Sequence, residues 1–139
     1  MAIEVTSSAL AAMRAAAAAA YPEEACGILL GEGARVEALQ PAANVHPTPQ
    51  THFEIDPQAL IDAHREARGG GPKVMGYFHS HPRGPAAPSA TDAAMAAKDG
   101  SVWAICGAVS NETGAAQDVL FYRAGEGGFA ELSMTVIES

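Results

Sequence analysis

Lys73-Val74-Met75-Gly76-Tyr77-Phe78-His79-Ser80-His81-Pro82 is the stretch from which the rest of the chain can be read. Val74, Tyr77 and Phe78 favour extended backbone, whereas Pro82, Gly84, Pro85 and Pro88 forbid regular structure. A strand over Lys73–His79 therefore opens into a loop over Pro82–Pro88. Residues two apart in extended chain point to the same face, about 6.6 Å apart along the backbone. His79 and His81 can thus turn both imidazoles toward one ion, an arrangement that suits zinc.

Outward from this stretch, helix and strand signals alternate. Downstream, a helix is expected from Ser89 to near Gly100, then strands over Val102–Val109, Val119–Arg123 and Phe129–Ile137. Upstream, Asp56-Pro57 is a helix start, with Asp as N-cap and Pro in the first helical position, and that helix runs to Gly69. The proline-containing segment Pro41–Thr51 is a loop. Ala25–Gly31 and Ala34–Leu39 read as two strands joined through Gly31-Glu32-Gly33. Thr6 or Ser7 caps a first helix through Ala9–Ala20, which stops near Tyr21-Pro22 because the residue before a proline is pushed out of helical geometry. The class is α/β or α+β around one sheet of about six strands, and residues 1–139 are expected to form a single domain.

Composition narrows the partners. Sixteen Asp and Glu against eight Lys and Arg give a net charge of −8. No basic cluster interrupts that balance, so neither nucleic acid nor an anionic membrane surface is expected to bind. No apolar stretch reaches the roughly 18 residues a spanning helix needs, and the start, with Glu4 and its only early cation Arg14 in mid-segment, lacks the basic opening of a secretory signal. A cytoplasmic protein is expected. Cys26 and Cys106 lie in separate apolar runs without a C-x-x-C pattern, and read as buried free thiols.

The chemistry-bearing pattern is H-x-H-x7-S-x2-D, over His79, His81, Ser89 and Asp92. Ser89 and Asp92 alone read as a capping box at a helix start, and capping can coexist with a second role for Asp92. Two imidazoles and one carboxylate make three protein ligands, the count for a catalytic zinc that keeps a fourth position for water; a structural site wants four. Hydrolysis at such a metal also needs a group that takes and returns a proton. Glu24, at the threshold of an apolar strand, is the best candidate, although spacing alone leaves Glu23 and Glu24 open.

Taken together, Glu24-x-Cys26-Gly27 before an apolar strand, Gly76-Tyr77-Phe78-His79-Ser80-His81-Pro82 and Pro88-Ser89-x-x-Asp92 resemble the JAMM (MPN-plus, or JAB/MPN) zinc metalloproteases. The resemblance extends from Glu24 to Val109. It implies a mixed β-sheet flanked by helices, similar to the cytidine deaminases. It also implies one zinc per chain on His79, His81 and Asp92, with Glu24 rather than Glu23 as general base and acid, and Ser89 holding the oxyanion. Larger relatives carry insertions that grip ubiquitin; the corresponding stretches are short here. Compact bacterial members act on ubiquitin-like sulfur carriers, cutting after a C-terminal Gly-Gly, and such a carrier is the implied partner, with a homodimer left open. The alternatives are a general zinc peptidase and a metal-free MPN-type scaffold. A scaffold would be expected to lack one or more ligands, and here Glu24, His79, His81, Ser89 and Asp92 are all present. A nucleoside deaminase would need H-x-E and P-C-x-x-C. The sequence has no P-C-x-x-C, so the required pair is missing.

Three histidines remain. His64, mid-helix, is expected to be partly buried and structural; His46 and His52 bracket the proline-containing loop and carry no assignment. Phe53-Glu54-Ile55 is a short extended piece whose edge is a candidate for pairing with a substrate tail.

Overall fold

The computed structural model describes residues 2–108 and 118–139. Within them the chain runs β1 (Ala2–Thr6), α1 (Ser7–Ala20), β2 (Cys26–Glu32), β3 (Arg35–Ala42), α2 (Pro57–Arg68), β4 (Lys73–Ser80), α3 (Ala90–Met95), β5 (Val102–Cys106), β6 (Val119–Gly125) and β7 (Gly128–Ile137). The strands form one mixed sheet in the order β1-β3-β2-β4-β5-β6-β7, and β7 returns to pair with β1, closing the sheet. The pairs β1–β3, β1–β7 and β4–β5 are parallel; the others are antiparallel. This is an α/β fold with helices against a mixed sheet.

The alanine-rich first helix packs one face against this sheet. Ala9, Leu10, Met13 and Ala17 of α1 are buried in one cluster with residues from all seven strands, among them Val5, Leu29, Val36, Phe78, Ala104, Phe121 and Leu132. One face of α1 is open to solvent; on the buried face alanine lets the backbone approach the strands, and along the whole helix it favours helical backbone intrinsically. The Thr6 hydroxyl accepts from Ala9 N–H at 3.1 Å and caps it. The opposite sheet face carries a second cluster, in which Ile28, Trp103, Ile105 and Tyr122 pack with Phe53, Ile55 and Ala63 of α2. Strand β5 is buried throughout because alternate residues serve the two clusters.

Three elements depart from expectation. Strand β1 is additional: five residues are too few to stand out in sequence, and Ile3 and Val5 join the core only because β3 and β7 flank them. The helix after Ser89 ends at Met95 rather than near Gly100. The chain leaves it because Ala96 is extended and packs on the second cluster, while Gly100 N–H donates to Ala124 O at 2.7 Å, drawing the segment to β6. The strand expected over Val102–Val109 ends at Cys106, and Val109 lies outside the described residues.

Gly76 is fixed by packing. A Cβ there would run into the Val102 backbone of β5, so only glycine allows β4 and β5 to pair at that point. No described helix is long and apolar enough to cross a membrane.

Candidate metal centre

Two register relationships bring the site together. Cys26 of β2 pairs with His79 of antiparallel β4, so the residues just before β2 meet the end of β4. Ser80 pairs with Cys106 of parallel β5, and His81 N–H continues that ladder to Cys106 O at 2.8 Å. Ser80, buried between the two histidines, accepts from Ala25 N–H at 2.8 Å and so ties the chain beside Glu24 to the histidine pair.

His79 Nε2 and His81 Nε2 are 3.0 Å apart. Asp92 completes a triangle: Oδ1 lies 3.1 Å from His79 Nε2 and Oδ2 lies 3.0 Å from His81 Nε2. Glu24 offers a carboxylate oxygen that, with one nitrogen from each histidine, falls within a 4.8 Å group. His79, Glu24 and Asp92 are buried; His81 is partly exposed and opens the site to solvent. Neighbours fix the His79 ring: Phe53 stacks on one face at 4.3 Å, and Trp103 lies perpendicular to it at 5.5 Å.

The donor set fits a zinc ion. Ligands at about 2.0–2.1 Å around a tetrahedral zinc stand roughly 3.3 Å from each other, close to the sides of the observed triangle. The tautomer of His81 also fits. Its Nδ1 lies 2.9 Å from Pro85 O, and a carbonyl only accepts, so Nδ1 carries a proton in either charge state and loss of the Nε2 proton would turn a lone pair to the centre.

The electrostatics follow from burial and from this triangle. Burial pushes the Glu24 carboxyl up to about 7; His81 pulls against that shift and Asp92 adds to it. Burial would also raise Asp92, but its hydrogen bonds from His79 and His81 outweigh this and hold it well below the usual carboxylate range. Burial lowers His79 more than Asp92 raises it. Burial pulls His81 down too, yet Asp92 and the Pro85 carbonyl outweigh it and leave the ring above its ordinary value. Such a site combines a fixed anion, two nitrogen donors and a carboxyl that can gain or lose a proton near neutral pH. Burial pushes the nearby Cys26 thiol up to about 12, which keeps it an inert part of the core.

Ser89 does what a capping serine does. Its hydroxyl accepts Asp92 N–H at 3.0 Å, and Asp92 Oδ2 accepts Ser89 N–H at 2.9 Å. In accepting, the exposed hydroxyl keeps its own proton for a further acceptor. The remaining histidines do not join the centre. His46 and His52 stack on each other at 4.7 Å, with Nδ1 atoms facing Thr48 and Thr51. His64 is exposed on α2 rather than partly buried, because only Ala63 of that helix turns fully inward. Glu54 and Asp56 spend their backbone groups on 43–45, so the Phe53–Ile55 piece is bound on one edge.

Sequence reasoning passed over two residues that hold the site. Ser80 was visible only as the spacer of H-x-H. Asn44 lies inside the loop Pro41–Thr51 and donates its side-chain amide to Glu24 O at 3.0 Å. Its one signal was residue type, since Asn readily bonds backbone groups in loops.

Residues 6–123 match the family described as prokaryotic homologs of the JAB domain. A desampylase from Haloferax volcanii is 36% identical over 108 residues, covering 76% of this chain and 78% of the relative. A probable TtuB-protein conjugate cleaving protease from Thermus thermophilus is 41% identical over 71 residues, 51% of this chain and 47% of the relative. The solution structure of a protein from Desulfitobacterium hafniense superposes with a TM-score of 0.85 at 30% identity, covering 99% of this chain and 94% of that one.

Proposed function

This chain belongs to the prokaryotic homologs of the JAB domain, and on that premise we propose that it is a zinc-dependent hydrolase that cleaves conjugates of a small ubiquitin-like or sulfur-carrier protein, at the amide following the carrier's C-terminal Gly-Gly. The observation that carries the chemistry is the triangle of His79, His81 and Asp92 with the Glu24 carboxyl beside it. The substrate class rests on the two relatives, named for desampylation and for cleavage of TtuB conjugates.

His79, His81 and Asp92 are the residues that would hold the zinc. When bound, it supplies Lewis acidity, polarising a carbonyl and lowering the pKa of water towards 7. Glu24 accepts a proton from the attacking water at a carboxylate oxygen, and a pKa of about 7 suits it to that task near neutrality. The water oxygen bonds to the carbonyl carbon; the carbon–nitrogen bond then breaks, and Glu24 delivers the same proton to the departing amine. Ser89 Oγ–H donates to the carbonyl oxygen while it carries negative charge. Phe53, stacked on His79, fixes the orientation of that ring.

A thin, extended chain fits this setting. Glycine has no side chain to meet the walls beside the metal, and the Phe53–Ile55 edge facing away from 43–45 offers backbone groups that do not read sequence. Docking of the carrier's folded body then supplies most of the affinity. The test is to incubate the zinc-loaded enzyme with a ubiquitin-like carrier bearing a lysine-linked or cysteine adduct at its Gly-Gly end, beside a short peptide with the same junction, and to follow both by intact mass. Cleavage of the carrier adduct after Gly-Gly, abolished by chelation and restored by zinc, is expected. Equal cleavage of the peptide or of unfolded proteins would replace the carrier-specific reading with a general peptidase, and no zinc-dependent cleavage would leave the scaffold.

A further inference from the structure

Glu24 stands just before β2, so its backbone is anchored mainly outside the sheet ladder. Glu24 N–H donates to Pro49 O at 2.8 Å, and Glu24 O accepts from Asn44 Nδ2 at 3.0 Å. The same Nδ2 donates to His52 O at 2.9 Å and, at 3.4 Å, to Pro49 O. On the other side, Asn44 Oδ1 accepts His46 N–H at 3.1 Å and Glu54 N–H at 3.0 Å. The amide's orientation is determined by its partners: carbonyls only accept and backbone N–H groups only donate, so the flipped amide would lose every one of these bonds. One side chain thus gathers residues 24, 46, 49, 52 and 54.

We propose that Asn44 is a positioning residue: it fixes Glu24 against the His79–His81 pair and locks Glu24 and the substrate-facing segment 53–55 into one rigid unit. The proposal rests on the reading of Glu24 as the proton-transfer group. Asparagine alone suits the position. Aspartate keeps the acceptor for His46 and Glu54 but turns a second oxygen onto the Glu24 and His52 carbonyls; alanine keeps neither half; glutamine carries the amide one methylene too far. Among the described residues none of these hydrogen bonds of Asn44 goes to His79, His81 or Asp92, so the role is separable from metal binding.

The experiment uses Asn44→Ala and Asn44→Asp in the wild-type chain and in Glu24→Gln, with zinc content, amide hydrogen exchange of the zinc-free protein and single-turnover cleavage of the carrier adduct as readouts. Zinc stoichiometry is expected to hold. Exchange at Glu24 and in residues 44–54 should rise at least about tenfold, while β5 and α1 stay unchanged. The rate constant should fall about 10- to 100-fold, since a misplacement near 1 Å costs up to about 10²-fold, and the same substitutions should change the residual rate of Glu24→Gln less than about twofold. An equal loss in both backgrounds, unchanged exchange at Glu24, or failure of both variants to fold would each overturn the positioning role. Full activity of Glu24→Gln by itself would overturn the reading of Glu24. That failure is distinct, because it needs no change at Asn44 to be seen.

Discussion

Asp92 and Ser89 hold each other at both ends: the Ser89 hydroxyl accepts Asp92 N–H at 3.0 Å, and Asp92 Oδ2 accepts Ser89 N–H at 2.9 Å while standing 3.0 Å from His81 Nε2. The cap that starts α3 is therefore also what aims the carboxylate at the histidines. A helix of only six residues gains little from its own propensity, so this reciprocal pair carries much of its definition.

Asp92→Asn and Ser89→Ala should separate the two roles. Asparagine can still accept Ser89 N–H but has lost the charge, so α3 should persist while zinc affinity falls by at least about tenfold. Ser89→Ala should keep its zinc and lose about 1 kcal/mol of stability with the cap. Its turnover should fall about 10²–10³-fold through the missing donor. Zinc titration, denaturant melts and rates at matched folded fraction measure the three effects.

Glu24→Gln should retain zinc and lose about 10²–10⁴ in rate, whereas Glu23→Gln, altered at an exposed position, should remain active. The reverse outcome would move the proton-transfer role to Glu23.

Glu24 also has a signature in stability. Its folded pKa is raised to about 7 from 4.5, so the folded state binds the proton more tightly than the unfolded chain. Below pH 4.5 both states are protonated and nothing is lost. As pH rises from 4.5 to 7, the unfolded chain ionises first and is favoured; above 7 the penalty is constant. The full difference is on the order of 3 kcal/mol. In zinc-free protein, Glu24→Gln should therefore gain on wild type across that window and hold a constant advantage above it. Urea melts between pH 4.5 and 8 measure this, and a pH-independent difference would show that the carboxyl is not desolvated.

What the sequence made legible was local. His79 and His81 share a face because strand geometry has a period of two, and Asp92 follows from helix-start chemistry, so the residues of the triangle could be named from spacing. Glu24 could be singled out over Glu23 only by resemblance, since the choice depends on which one the β2–β4 register carries inward. The anchors Asn44 and Ser80 were not legible, because their partners lie 20 and 55 residues away and only tertiary structure brings them together. The same holds for β1 and for closure of the sheet: Ala2–Thr6 gains its strand from β3 and β7, not from its own five residues. His64 was misplaced because helical periodicity does not say how much of α2 the sheet covers.

The last prediction concerns the metal and the fold together. An ion that binds only the native triangle stabilises it by mass action, by about 2.7 kcal/mol at a free concentration 100 times Kd. For a chain of this length, a stabilisation of that size should raise the melting temperature by about 10 °C. Chelation should remove this shift and zinc should restore it, in proportion to the logarithm of free zinc. In His79→Ala/His81→Ala, two of the three donors are gone and the shift should vanish. Glu24→Gln should keep it, because the carboxyl there serves proton transfer and not the ion. A shift of the same size in the double histidine variant would place the zinc elsewhere; its loss in Glu24→Gln would instead make Glu24 a ligand, consistent with its position within 4.8 Å of the histidine nitrogens.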